Sequence, residues 1–227
     1  MKEAWWVLPT GAGVVSGAFA YTLGRLWKAS PRPHLLAWAL ALLLFAIASI
    51  AAGASMLANW TSTSFRLYYL FGAIVNVPVL AIGTIYLLGP RKFGHVCAVV
   101  VAIASLFAAI VVFRADLDTA GLRVEGIPSS RDVAPELPRT LSRYFSFGGF
   151  FVVVGGALWS AWRLARKREE RLRRLALANL LIATGTFVVA VGSGFARYGQ
   201  GALLALGLVV GVSLMFLGFL MTRPRSA

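Results

Sequence analysis

Seven apolar stretches, each of the roughly 20 residues needed to cross about 30 Å of hydrocarbon, occupy most of this chain. They run from Trp5 to Trp27, Leu35 to Ala58, Phe65 to Leu88, Phe93 to Phe113, Arg143 to Leu164, Leu172 to Ala196 and Gly201 to Met221. Inside lipid every backbone amide must be satisfied within its own segment or by a closed barrel, so stretches of this length fold as helices. The expected fold is therefore all-α: one polytopic membrane domain, residues 1–227, with seven transmembrane helices. Apolar residues make up 59% of the sequence and charged residues 13%, far from the soluble norm of about one half and one quarter.

No acidic side chain lies inside any of the seven stretches; all eight, from Glu3 to Glu170, fall at their ends or in loops. Carboxylates within a bilayer mark proton relays and cation pathways, so proton coupling lacks its carrier here. Basic residues follow the connections. Fourteen of the 22 Lys and Arg fall after the first, third, fifth and seventh spans: Arg25, Lys28, Arg32, Arg91, Lys92, Arg163, Arg166, Lys167, Arg168, Arg171, Arg173, Arg174, Arg223 and Arg225. The positive-inside rule then places the N-terminus outside and the C-terminus inside, in a cytoplasmic (inner) cell membrane. The formal charge of +14 reads as a belt for anionic lipid headgroups, and no nucleic-acid partner is expected. Lys2 before an apolar run, with Ala18-Phe19-Ala20, resembles a cleavable secretory signal. Pro9, Gly11, Gly13 and Gly17 interrupt that run, and cleavage would export the Arg25, Lys28 and Arg32 cluster, so the first span is expected to stay.

The polar segment Arg114 to Thr140 is the one long connection. Its prolines (Pro128, Pro135, Pro138), its aliphatics (Leu122, Val124, Ile127) and its four arginines, five with Arg143 just beyond, matched by five acids suggest a small folded cap over the outer mouth. Aligning the first three spans with the last three pairs Gly17-Ala18 with Gly156-Ala157, Lys28 with Lys167 and Ala39-Leu40-Ala41 with Ala176-Leu177-Ala178, at an offset of roughly 135 to 139 positions. Both triplets run outside to inside, which gives a three-plus-one-plus-three parallel repeat.

The densest polar chemistry lies in the third span: Arg66, Tyr68 and Tyr69 at its outer end, Asn76 and Pro78 near its middle, then Thr84 and Tyr86. Proline removes a helical bond and collides with the preceding turn, so a kink near Asn76 is expected. The Asn76 amide, Thr84 and Asn179 of the sixth span are candidates to satisfy the freed carbonyls. These groups either glue helices together or line a ligand pocket. Arginine and tyrosine also recur at three outer ends, Arg66 with Tyr68 and Tyr69, Arg143 with Tyr144, and Arg197 with Tyr198. Guanidinium forks bind carboxylate or phosphate, so these ends could gather a small anion or a lipid head; ordinary interfacial anchoring accounts for them equally. Gly13 with Gly17, and Gly207 with Gly211 and Gly218, mark close helix packing within the chain or a homodimer seam. The Gly148-Gly149 and Gly155-Gly156 pairs leave room for a flat apolar ligand beside the fifth span.

Catalytic constellations are missing. His34 and His95 have no carboxylate or second histidine at ligand spacing, no span carries a mid-membrane lysine, and Cys97 is the sole cysteine. No metal, haem or retinal cofactor is expected, and an acid/base or zinc enzyme would need His, Asp or Glu within the bundle. A non-enzymatic role follows.

The third span, read as Arg66-x-Tyr68-Tyr69-x-Phe71-Gly72-Ala73-x-x-Asn76-Val77-Pro78 and then Gly83-Thr84-x-Tyr86-Leu87-Leu88, together with Asn179 and Gly185-Thr186, resembles a family of uncharacterised seven-helix bacterial membrane proteins. The same helix, with its aromatic start, central proline and basic exit, is more loosely similar to the seven-helix N-terminal sensor regions of bacterial histidine kinases. That second likeness implies sensing, with no kinase module expected on this chain, so a signal would pass to a separate protein through Arg163 to Arg174. Small sugar transporters share the three-plus-one-plus-three plan but carry prolines in paired helices, and the fifth and sixth spans as bounded above contain none. The best reading is binding or sensing of a small apolar or amphiphilic ligand around Arg66, Tyr68, Tyr69, Asn76, Pro78, Thr84, Asn179, Arg143 and Arg197. The alternatives are a facilitator of a small neutral or anionic solute, or an accessory subunit packed against an unknown membrane protein. Membrane lipids are expected neighbours in every case.

Overall fold

The computed structural model describes residues 4–166, 169–196 and 200–222. Among these, seven helices are long and apolar enough to cross a bilayer, and no strand occurs. They are α1 (Val7–Ala29), α2 (Pro33–Ala58), α3 (Ser62–Leu88), α4 (Arg91–Arg114), α5 (Glu136–Ala165), α6 (Glu170–Ala196) and α7 (Gly201–Met221). Proline opens several of them, where the missing N–H is one that a helix start leaves free anyway. Pro33 begins α2, Pro90 precedes α4 and Pro135 precedes α5. A reciprocal pair between Thr61 and Ser64 caps α3, after a turn at Asn59 whose φ is 75°.

Six helices form a closed ring in the order α1, α2, α3, α5, α6, α7 and back to α1, while α4 stands outside it against α3 and α5. Small residues set the spacing. Gly13 lies against Ala46 and Ile50 across α1 and α2, and Gly53 against Thr10. Gly185 and Gly192 face Gly211 and Gly207 across α6 and α7, and Gly218 rests on the Ala178 carbonyl. The glycine faces at Gly13, Gly207, Gly211 and Gly218 are thus used inside the monomer, whereas a Cβ on Gly17 would meet nothing within 4 Å. The α4 face bearing Val99, Ile103 and Leu106 is exposed, as expected of a helix whose solvent is lipid.

Helix α5 begins one full turn and more before Arg143, at Glu136, which shortens the long connection to residues 115–135 and brings Pro138 inside the helix. Pro138 falls in the first turn, where proline is tolerated, and Glu136 pairs with both Arg139 and Arg143. The fifth helix therefore does contain a proline, contrary to the sequence-based boundary. The remaining connection is packed: Leu122, Ile127, Val133 and Ala134 are buried, and Trp60 Nε1 donates to the Gly126 carbonyl at 2.9 Å. Val124 is exposed. Ile127 also sits on Gly201 at the start of α7, so the segment forms a cap seated on one end of the ring.

Candidate functional site

Pro78 has no N–H to return to the preceding turns, and at the place of the kink expected near Asn76, α3 carries a π-helical stretch, Tyr69–Val75, directly before Asn76. Such segments concentrate at functional sites. In the five-residue register of a π-turn the carbonyl that Pro78 leaves without a donor is that of Ala73. It accepts instead from Ser142 Oγ at 3.1 Å and Ser146 Oγ at 2.8 Å, two residues one turn apart on α5. Three residues further, Gly149 lies against the Val77 backbone, and Gly156 lies against Thr84 and Leu88. The face Ser142, Ser146, Gly149 and Gly156 thus docks α5 along α3 at helical spacing, from the π-helical stretch at Ala73 to Leu88 near the helix end.

The service expected of Asn76, Thr84 and Asn179 is therefore performed by Ser142 and Ser146. Asn179 instead donates from Nδ2 to Leu175 O in its own helix at 3.1 Å. Each hydroxyl can serve the Ala73 carbonyl alone, so the double change Ser142→Ala with Ser146→Ala is expected to cost about 1–2 kcal/mol, more than the two single changes added together. Thermal unfolding in detergent of the four proteins of this cycle measures it.

At the ring's centre lies a cavity of about 430 Å³. Five of the six ring helices, all but α1, line it, and α2 and α3 present the small residues Ala41, Ala48, Gly72 and Ala73 there, which leave the space unfilled. Tyr68, Tyr69 and Asn76 are on its wall, with Ser49, Ser130, Ser142, Ser146 and Ser193; among the described residues no charged side chain lines it. Asn76 Oδ1 is buried with no hydrogen-bond partner among the described residues. A second space of about 60 Å³ adjoins it through the shared walls Leu42, Leu80 and Met215, and contains Thr84 and Asn179. Five of the residues singled out in the sequence are thus brought to two adjoining spaces, and Pro78, between Asn76 and Thr84 along α3, is buried as well.

The arginines go elsewhere. Arg66 donates from Nε to Val112 O at 3.2 Å and from an Nη to Ala115 O at 2.9 Å. It closes the C-terminal end of α4, the position at which a cation complements the helix dipole. Arg143 is exposed and held by Glu136 and Thr140, with Tyr144 beside it also exposed. Neither arginine lines the cavity, so the anion-binding mouth expected from the Arg-Tyr pairs is not assembled from these two. Arg197 and Tyr198 lie outside the described residues, as do Lys167, Arg168, Arg223 and Arg225. Arg66→Ala is expected to cost about 1.5–3 kcal/mol per lost charged hydrogen bond and to loosen the cap, read out as faster proteolysis between residues 115 and 135; Arg66→Lys recovers part of both.

The cap and the cavity share an aromatic wall. Trp60 and Tyr68 rings meet at 5.4 Å between centroids, and Phe65 stacks on Tyr69 at 5.4 Å. Sequence reasoning finds Tyr68 and Tyr69 but misses Trp60, Ser142 and Ser146. The available signal is the run Ser142, Ser146, Gly149, Gly156, small or polar at one helical face in an otherwise bulky span. No protein-family model, curated protein or solved structure matches this chain.

Proposed function

We propose that this protein is a non-enzymatic, multi-pass protein of the cytoplasmic membrane that binds a small apolar or amphiphilic ligand inside its helix ring. The carrying observation is the Asn76 amide, whose buried Oδ1 has no partner among the described residues on the wall of a cavity of about 430 Å³. Buried polar groups are normally satisfied, and a bundle that used Asn76 only as glue would have given it a partner. The volume is in the range of roughly 300–1,000 Å³ that single-ligand sites occupy. Orientation follows the basic connections, which put the cap outside. A three-plus-three duplication is supported by the ring order, since α1 to α3 and α5 to α7 form its two halves with α4 between them in sequence and outside it in space. If the bound state is a signal, the basic segment Arg163 to Arg174 is where a partner would read it.

Gentle extraction followed by mass spectrometry of co-purified small molecules tests the binding. Wild type is expected to carry one species at near-unit stoichiometry that Asn76→Leu has lost. Identical contents in the two proteins would remove the basis of the reading, and solute flux across proteoliposomes would replace it with a facilitator.

A further inference from the structure

We infer that the ligand reaches the cavity sideways from the bilayer, between α5 and α6, and is an uncharged single-chain lipid alcohol whose hydroxyl is held by Asn76. This rests on the binding role proposed above and adds the route and the chemical class.

The route follows from what is closed and what is open. At the cap end, Ile127 and Pro128 are buried, Trp60 ties the cap down through Gly126, and Ile127 rests on Gly201. At the side, Phe147 of α5 and Phe187 and Val191 of α6 line the cavity while remaining 53%, 55% and 41% exposed. A side chain that does both stands at a rim. Gly194, about one turn beyond Val191, also lines the cavity, and a Cβ there would meet nothing within 4 Å. These rim residues are apolar, and the one polar member beside them, the exposed Ser193, turns its hydroxyl back onto Val189 O at 2.9 Å; all belong to two of the membrane-crossing helices, so the opening faces hydrocarbon.

The class follows from the lining. Among the described residues it holds no Lys, Arg, His, Asp or Glu, and an ion moved there would lose its hydration without a counter-charge. A carboxylate or phosphate head seated inside the cavity is therefore disfavoured, which weighs against a fatty acid anion or a phospholipid held head-first there. An amide offers one acceptor and one donor group; Asn76 lines the cavity with its Oδ1 enclosed in this rotamer, and a turn about its soft terminal side-chain bond brings the acceptor to the cavity, where a single hydroxyl donates to Oδ1 and accepts from Nδ2. The rings of Phe147, Phe150 and Phe187 with Val191 supply the surface for the chain.

The test places the full-length protein in phosphatidylcholine nanodiscs with a diazirine-bearing hexadecanol, and in parallel with the hexadecanoate and hexadecane versions of the same probe. After illumination, labelled positions are mapped by mass spectrometry, with α4 peptides around Val99 to Leu106 reporting background from the bilayer. The alcohol is expected to label the Phe147 and Phe187–Val191 peptides about tenfold above the other two probes, the worth of one well-made hydrogen bond, and excess hexadecanol competes it away. Asn76→Leu brings alcohol labelling down to the hydrocarbon level. Gly194→Trp, or Val191→Trp if the first elutes aggregated, blocks cavity labelling by every probe and leaves α4 labelling unchanged. Equal labelling by alcohol and hydrocarbon, indifferent to Asn76, overturns the alcohol class while binding itself stands. Undiminished labelling in a folded tryptophan variant overturns the side route. Cavity peptides labelled no more than α4 by any probe overturn the binding role as well.

Discussion

Gly149→Leu is expected to destabilise the protein by about 3 kcal/mol or more, at the upper end of what overpacking costs. A Cβ at this position would stand 2.8 Å from both the carbonyl carbon and the oxygen of Val77. Those are backbone atoms of α3, next to the π-helical stretch, and cannot swing aside as a side chain would. Pushing α5 outward to make room would also pull Ser142 and Ser146 off the Ala73 carbonyl, leaving an unsatisfied acceptor in a water-free environment. The neighbouring Gly148 supplies the control. A Cβ there meets nothing within 4 Å, so Gly148→Leu adds an apolar side chain toward lipid and is expected to leave the midpoint of thermal unfolding unchanged. Comparable losses in the two variants, measured by size-exclusion survival after heating, would show that close approach of α5 to α3 is not what holds this half of the ring.

The contrast between Gly148 and Gly149 also shows where the sequence stops being readable. Helix number and most boundaries follow from length and apolarity alone, because the bilayer demands both. Which face of a helix points inward does not, since lipid tails are as apolar as a protein core and the periodic signal that orients a soluble helix is weak. Thus two adjacent glycines look alike in the sequence and differ entirely in the fold. For the same reason the peripheral place of α4 does not emerge from the sequence, although its run of Val, Ile, Phe and Ala with Gly94 as its only glycine and Ser105 as its only hydroxyl is what a lipid-facing helix looks like. The start of α5 is hidden because Glu136, Pro138, Arg139 and Arg143 have the composition of a loop. In place, the proline sits where helices accept it and the charges pair along the first two turns.

The candidate site is legible in part, and the division has a physical cause. Asn76, Tyr68 and Tyr69 stand out because polar groups in an apolar run need a reason to be there, and all three reach the cavity wall. Arg66 stands out equally, yet its guanidinium is spent on the last carbonyls of α4. A sequence announces that a cation needs an acceptor; whether that acceptor is a ligand or a helix end depends on which helix lies alongside. Likewise, the polar residues nearest Pro78 in sequence are the obvious groups to fill its gap, but the geometry needs two hydroxyls one turn apart on a parallel neighbour.

Asn76→Leu should shift stability in opposite directions according to what the cavity contains. With the cavity empty, the Oδ1 of the wild-type amide is a buried acceptor without a partner among the described residues, a condition that costs about 1–3 kcal/mol. Leucine of similar volume removes that cost, so the empty variant is expected to unfold at a higher temperature than empty wild type. With ligand present the order reverses. Wild type gains RT ln(1 + [L]/Kd), about 2.7 kcal/mol at a hundredfold excess over Kd, while the variant gains little because the hydrogen bond that anchors the head has gone. A residue kept only for helix packing behaves differently, since its loss lowers the unfolding temperature whether or not ligand is added. Unfolding midpoints of both proteins, stripped by detergent exchange and then titrated with hexadecanol, therefore separate the two roles in one experiment. Crossing curves identify a group whose local instability is retained for binding, and parallel curves with the variant lower throughout identify a structural asparagine.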